Sequence, residues 1–172
     1  MELHAATLVL DSMVHKIHQY KKKLQQKYED ISYLSFDVTD YSSVERKIAQ
    51  YFDQNSGIDI LVNNAGVLHL ESLENSSDEL LRKSFEVNFF APFALTRYFS
   101  NSMVKKKSGA IINMCSSSSY TGGGAPEHCI YASTKHALLG LSRALDEELR
   151  FSNIRVGTVS PAGVSTDMMG DR

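Results

Sequence analysis

GAIINMCSSSSYTGGGAPEHCIYASTK, residues 109–135, runs from an apolar strand through a serine- and glycine-rich turn into a helix. Residues 109–115 have the content of a buried strand, helical spacing continues from about Tyr131 to Arg150, and Ile154-Arg-Val-Gly-Thr-Val159 reads as another strand. A strand, a helix and a second strand in close succession form the repeating unit of a parallel sheet. Tyr131 and Lys135 stand four residues apart, so on a helix both side chains leave the same face. A lysine ammonium beside a phenol favours the phenolate, and is expected to lower Tyr131 from the ordinary tyrosine value of about 10. A tyrosine tuned this way can act as a general acid or base. A serine nearby can hold the substrate oxygen, so these parts suit proton transfer to or from an alcohol or carbonyl. Tyr-x-x-x-Lys alone is common by chance, so its neighbours must decide.

The chain has 172 residues, 42% of them hydrophobic and 22% charged, which is ordinary composition for one domain with a real core. Its net charge of −2 argues against a nucleic-acid partner or an acidic membrane surface. Lys21-Lys22-Lys23 sits in a polar helical stretch and reads as a solvated face. Two cysteines, Cys115 and Cys129, lack metal-ligand spacing and point to a reduced, cytoplasmic setting rather than a disulfide scaffold. The six histidines show no metal spacing either and read as surface residues. No apolar run reaches the ~20 residues of a membrane span, and no signal-peptide pattern opens the chain.

Taken in order, residues 6–11 read as a short buried strand ending at Asp11, and residues 13–28 as a surface helix with one apolar stripe. Residues 31–36 alternate as a strand does. Ser42-Ser-Val-Glu45 reads as a capping box opening a helix to about Gln54. Ile58-Asp-Ile-Leu-Val62 is a strand, and Asn63-Asn-Ala-Gly66 turns out of it. Ser76-Ser-Asp-Glu79 reads as a second capping box. The helical stretch it opens reaches about Lys106, with Pro92 expected to kink or split it beside Asn88. Five strands alternate with four helices, giving one α/β domain over residues 1–172 with a mostly parallel sheet. Ligands in such sheets bind beyond the carboxyl ends of the strands. Asp11, Asp37, Asn64, Ser116 and Pro161 each follow a strand, so one shared site is expected there.

Asn63-Asn-Ala-Gly66, Phe85-Glu-Val-Asn88, Ile111-Ile-Asn-Met-Cys-Ser116, Tyr131-Ala-Ser-Thr-Lys135 and Pro161-Ala-Gly-Val-Ser-Thr166 follow one another in the order and approximate spacing of the short-chain dehydrogenases/reductases, and the chain resembles that family over nearly its whole length. The resemblance implies a Rossmann-like, doubly wound parallel sheet. It also implies hydride transfer between a nicotinamide cofactor and a secondary alcohol or ketone. Tyr131 would be the acid/base, and Lys135 would lower its pKa and hold the nicotinamide ribose. Asn88 would anchor a water in a proton relay. Asp37 and Val38 would flank the adenine, and Asn64, Ala65 and Gly66 would lie by the adenosine ribose. Pro161, Val164 and Thr166 would border the nicotinamide. Family members usually pair through the helix here at 131–150, so a homo-oligomer is expected. The catalytic serine is Ser116 by strand register and Ser118 by the interval back from the tyrosine; the strand register is preferred, because loops absorb insertions and strands do not. Asp11 can accept from both ribose hydroxyls and repel a 2′-phosphate, which favours NAD(H) over NADP(H).

The family's first strand, its Gly-rich phosphate loop and its last strand have no counterpart in this sequence, and no G-x-x-x-G-x-G occurs in it. That loop supplies backbone N–H groups to the pyrophosphate. A chain truncated at both ends is therefore expected, with a second reading beside the enzyme: a catalytically incompetent fragment acting only through association.

Overall fold

The computed structural model describes residues 37–54, 57–124 and 126–163. The expected strands at 6–11 and 31–36, the helix at 13–28, and Asp11, Val164 and Thr166 lie outside the described residues.

Helix α1 spans Tyr41–Gln54. Asp40 opens it: its Oδ1 accepts from the Ser43 N–H at 3.1 Å and from the Ser42 hydroxyl at 2.8 Å. The expected capping box on Ser42 is thus displaced, because a carboxylate two residues earlier takes the free amide first. Helix α2, Asp78–Phe85, is capped by Ser77, which accepts from the Leu80 N–H at 3.1 Å. The cap again sits one residue from the expected Ser76, since both serines offer the same oxygen.

The long helical stretch divides as expected. After α2 the chain makes a wide π turn, Glu86–Phe90, and resumes as α3, Ala91–Lys106. Pro92 lies in the first turn of α3 and has no N–H to give the Asn88 carbonyl, so an ordinary α turn cannot close there. Asn88 itself is 0% exposed. Lys107 then turns left-handed (φ 52°) and ends α3. The next residues must return close against the helix. A Cβ on Gly109 would stand 2.6 Å from the Met103 side chain, so only glycine fits at that entry.

Strands β1 (Ile60–Asn63), β2 (Gly109–Met114) and β3 (Ile154–Val159) are parallel in the order β1-β2-β3. Helix α4, Cys129–Leu149, crosses from β2 to β3. The register pairs Leu61 with Ile111 and Ile111 with Val156 on one face. That face packs with Val44 and Ile48 of α1 and with Leu95, Phe99 and Met103 of α3. Burying each of these larger side chains stabilises the fold by about 2 kcal/mol. On the opposite face Ile60 and Val62 are 48% and 44% exposed.

At the carboxyl ends of β1 and β2 the inward residues turn polar. Asn63 and Asn113 are register partners. Asn63 Nδ2 donates to Asn113 Oδ1 at 2.7 Å and to Thr96 Oγ1 at 3.1 Å. Asn113 Nδ2 donates to Ser142 Oγ at 2.8 Å, and that hydroxyl donates to the Leu138 carbonyl at 2.7 Å. This buried chain ties both strands to α3 and α4.

Candidate active site at the strand ends

Three strand ends meet here. Beyond β2 the ladder runs on for one residue, as the Cys115 N–H donates to the Val159 carbonyl at 2.8 Å. The Ser117 N–H donates to the Pro161 carbonyl at 2.9 Å, which draws the loop after β3 against the serine turn. Ser117–Ser119 form one 3-10 turn capped by Ser116. Ser116 Oγ accepts from the Ser118 N–H at 3.1 Å, and Ser119 Oγ accepts from the Ser116 N–H at 3.1 Å. Ser116 stands near enough to the Tyr131 phenol to favour its ionised form. Ser118, the alternative serine, offers Ser116 its backbone. Cys115 is 5% exposed and packs with Leu138 and Leu139 as a small buried hydrophobe.

Tyr131 and Lys135 leave the same face of α4, with Lys135 Nζ 5.7 Å from the phenol ring centroid. Lys135 is 4% exposed, and its Nζ donates to the Met114 carbonyl at 2.8 Å, at the end of β2. Burial pushes this ammonium down to about 8. Burial also pushes the Tyr131 phenol up, with nearby Ser116 pulling it partly back and Cys115 adding to the rise. The expected lowering of Tyr131 by the lysine is therefore overturned. Spacing brought the two groups together, but desolvation of the phenol outweighs a lysine whose own charge is disfavoured.

A depressed lysine pKa carries a defined sign. Between about 8 and the ordinary 10.5 the unfolded chain holds a proton that folded Lys135 has released. Stability gained through Lys135 thus rises with pH across that window, by up to about 3 kcal/mol, and is constant below it. Urea midpoints at pH 7.5 and pH 10, for the natural chain and Lys135→Met, read the effect. The natural chain should gain on the variant as pH rises, and a gap that widens the other way would contradict this environment.

Asn88 does not cap the carbonyl freed by Pro92. Its Oδ1 accepts from the Val67 N–H at 2.8 Å, and its Nδ2 donates to the Val67 carbonyl at 2.9 Å and to Thr134 Oγ1 at 3.0 Å. Thr134 in turn donates to the Tyr131 carbonyl at 2.7 Å. One amide thus fastens the turn after β1 to the first turns of α4.

The residues expected on the cofactor side divide. Asn64, Ala65 and Gly66 follow β1, with Asn64 exposed and Ala65 packed against the core. Asp37 is exposed, and its Oδ1 accepts from the Thr39 N–H at 2.9 Å and the Thr39 hydroxyl at 2.7 Å. Val38 is 1% exposed and belongs to the core. Ser160 Oγ, next to Pro161, is buried without a partner, and Lys135 holds donors beyond the one given to Met114. A buried acceptor-donor and a buried ammonium at the meeting of three strand ends fit the hydroxyl-bearing end of a nicotinamide nucleotide.

The sequence reading missed Thr134 and the Asn63–Asn113 chain. An asparagine at an inward strand position was the available signal. It also misplaced His69, which is not a surface residue: it is half-buried, with Nδ1 2.9 Å from Ser84 Oγ. Among the described residues no helix is long and apolar enough to cross a membrane.

Sheet and site together define a parallel α/β domain that gathers a serine, a tyrosine and a lysine at its strand ends. The family model for short chain dehydrogenase matches residues 1–172, and the chain belongs to that family. It is 30% identical over 161 residues to the 2-dehydro-3-deoxy-D-gluconate 5-dehydrogenase of Bacillus subtilis, covering 94% of this chain and 62% of that one. A short-chain dehydrogenase structure from Streptomyces avermitilis superposes with a TM-score of 0.84 at 27% identity, covering 97% of this chain and 60% of the other. A structure of ElxO with NADP bound superposes with a TM-score of 0.80 at 28% identity, covering 90% and 62%. The chain thus spans about three fifths of the length of the relatives it matches.

Proposed function

We propose that this chain is an oxidoreductase domain acting on a secondary alcohol or ketone with a nicotinamide cofactor, Tyr131 serving as acid/base. The placing of Tyr131 and buried Lys135 on one face of α4, 5.7 Å apart and beside the turn that holds Ser116, carries this reading. A nicotinamide cofactor would supply or accept the hydride. Tyr131, its pKa pushed up by burial, is a protonated phenol at neutral pH and thus a donor to the oxygen of a ketone being reduced. Ser116 would hold that oxygen. Lys135, with Met114 fixing its amino group, would hold the nicotinamide ribose and favour the phenolate left behind. Asn88 and Thr134 would position Tyr131 through its backbone. Asn64, Ala65, Gly66, Asp37, Val38, Pro161, Val164 and Thr166 would border the cofactor.

Asp11 supports NAD over NADP, although the similar ElxO structure is one with NADP bound. The exposed side of α4, with Ser133, His136, Gly140 and Arg143, would pair two copies. The two free cysteines support a reduced, cytoplasmic setting.

Calorimetric titration with NADH and with NADPH tests the reading. Saturable micromolar binding of either, tighter for NADH, is the expected result. No binding at millimolar concentration of both would sink it and favour association without catalysis.

A further inference from the structure

The loop that joins β2 to α4 starts at Ser116 and ends at the first turn of α4, and it is closed by contacts of its own. The Ser117 carbonyl accepts from the Tyr120 N–H at 3.1 Å and from the Thr121 hydroxyl at 3.5 Å. Thr121 Oγ1 accepts in turn from the Gly123 N–H at 3.2 Å. Gly123 is left-handed (φ 99°), and a Cβ built on it would stand 2.4 Å from His128 Cβ and 2.9 Å from His128 Cγ. The backbone hung from the serine turn therefore lies directly against the His128 side chain, with no space for a side chain between them.

His128 belongs to the far end of the same loop. Its carbonyl accepts from the Ala132 N–H at 2.8 Å, so it opens the first turn of α4, the turn that carries Tyr131. Its Nδ1 lies 2.9 Å from the Pro126 carbonyl. A carbonyl only accepts, so Nδ1 carries the proton. This bond spans Glu127, which is held left-handed (φ 67°), a conformation an ordinary residue adopts only where its surroundings impose it. The Glu71 N–H holds the same residue, donating to its carbonyl at 3.1 Å. One half-buried histidine thus meets both ends of the loop, the end hung from Ser117 and the end that starts the helix.

We infer that His128 is a positioning residue, whose ring locks the turn capped by Ser116 to the turn that carries Tyr131 and so sets the serine hydroxyl against the phenol, a role that deepens the ketone chemistry proposed above and rests on it. Misplacing reacting groups by about 1 Å can cost about 10²-fold in rate. His128→Ala, which releases Gly123 and Pro126 together, should lower kcat about tenfold or more, with NAD(P)H affinity within about twofold of the natural chain. Gly123→Ala, which pushes the backbone off the ring, should do the same. His128→Asn keeps an amide N–H near the place of Nδ1 and a Cγ against Gly123, and should restore most of the rate. A kcat within about twofold of the natural chain in either alanine variant overturns the lock. So does a loss of cofactor affinity as large as the loss in kcat, or a His128→Asn as slow as His128→Ala. If the natural chain reduces no ketone, the proposed chemistry fails, and the lock is read without turnover. In the fluorotyrosine-labelled chain, the fluorine NMR signal that Tyr131→Phe removes belongs to Tyr131. That signal should move in Ser116→Ala and in His128→Ala alike, and return in His128→Asn; a signal unmoved in His128→Ala overturns the inference.

Discussion

Tyr131→Phe should lower turnover by about 10³-fold or more, while NAD(P)H affinity stays within a few-fold of the natural chain. General acid–base catalysis contributes typically about 10²–10⁴-fold, and the substitution removes the only ionisable group of this side chain. The ring stays in place, because packing and the α4 backbone hold it rather than the hydroxyl. Steady-state rates with a turned-over ketone and calorimetric affinity separate the two effects. Retained turnover would refute the acid/base role. Weakened cofactor binding with normal kcat would move Tyr131 into the binding surface instead.

Asn88→Ala should cost on the order of 3 kcal/mol of stability, read as a lower urea midpoint with an unchanged slope. The amide makes three hydrogen bonds from a fully buried position, two of them to the Val67 backbone. Alanine leaves the Val67 N–H and carbonyl without these part-buried partners. Each orphaned buried group costs about 1–3 kcal/mol. Turnover should fall as well, since the turn after β1 and the start of α4 lose their common anchor. Stability within about 0.5 kcal/mol of the natural chain would show that Val67 finds other partners.

The sheet was legible where chemistry and period agree. Residues 109–114 and 154–159 are rich in apolar residues and bounded by turn formers, and both are strands close to the expected limits. Pro92 announced the division of the long helix because a missing N–H is a property of one residue. The caps were misread by one or two positions because Asp40 and Ser42, or Ser76 and Ser77, offer equally good acceptor oxygens to a helix start until the backbone chooses. Within the site, Tyr131 and Lys135 were visible as a spacing, but spacing reports proximity and not desolvation, so the direction of the Tyr131 shift was misjudged. His69 and Ser84 are fifteen residues apart in sequence, and nothing local links them. Thr134 hid inside the motif it supports.

The paired asparagines at the ends of β1 and β2 bear on how the sheet finds its alignment. Parallel strands rich in branched apolar side chains can slide past one another by two residues and still present the same faces inward. Such a slide would set Asn63 opposite Ile111 or Cys115 instead of Asn113, and its amide would lose the short contact across the strands. Thr96 and Ser142 would then also be out of step, each reaching from a different helix. The apolar residues hold the layers together but tolerate errors of alignment. The amides contribute little net attraction and make each wrong pairing costly, so they select the one in which the ends of β1, β2 and β3 come level.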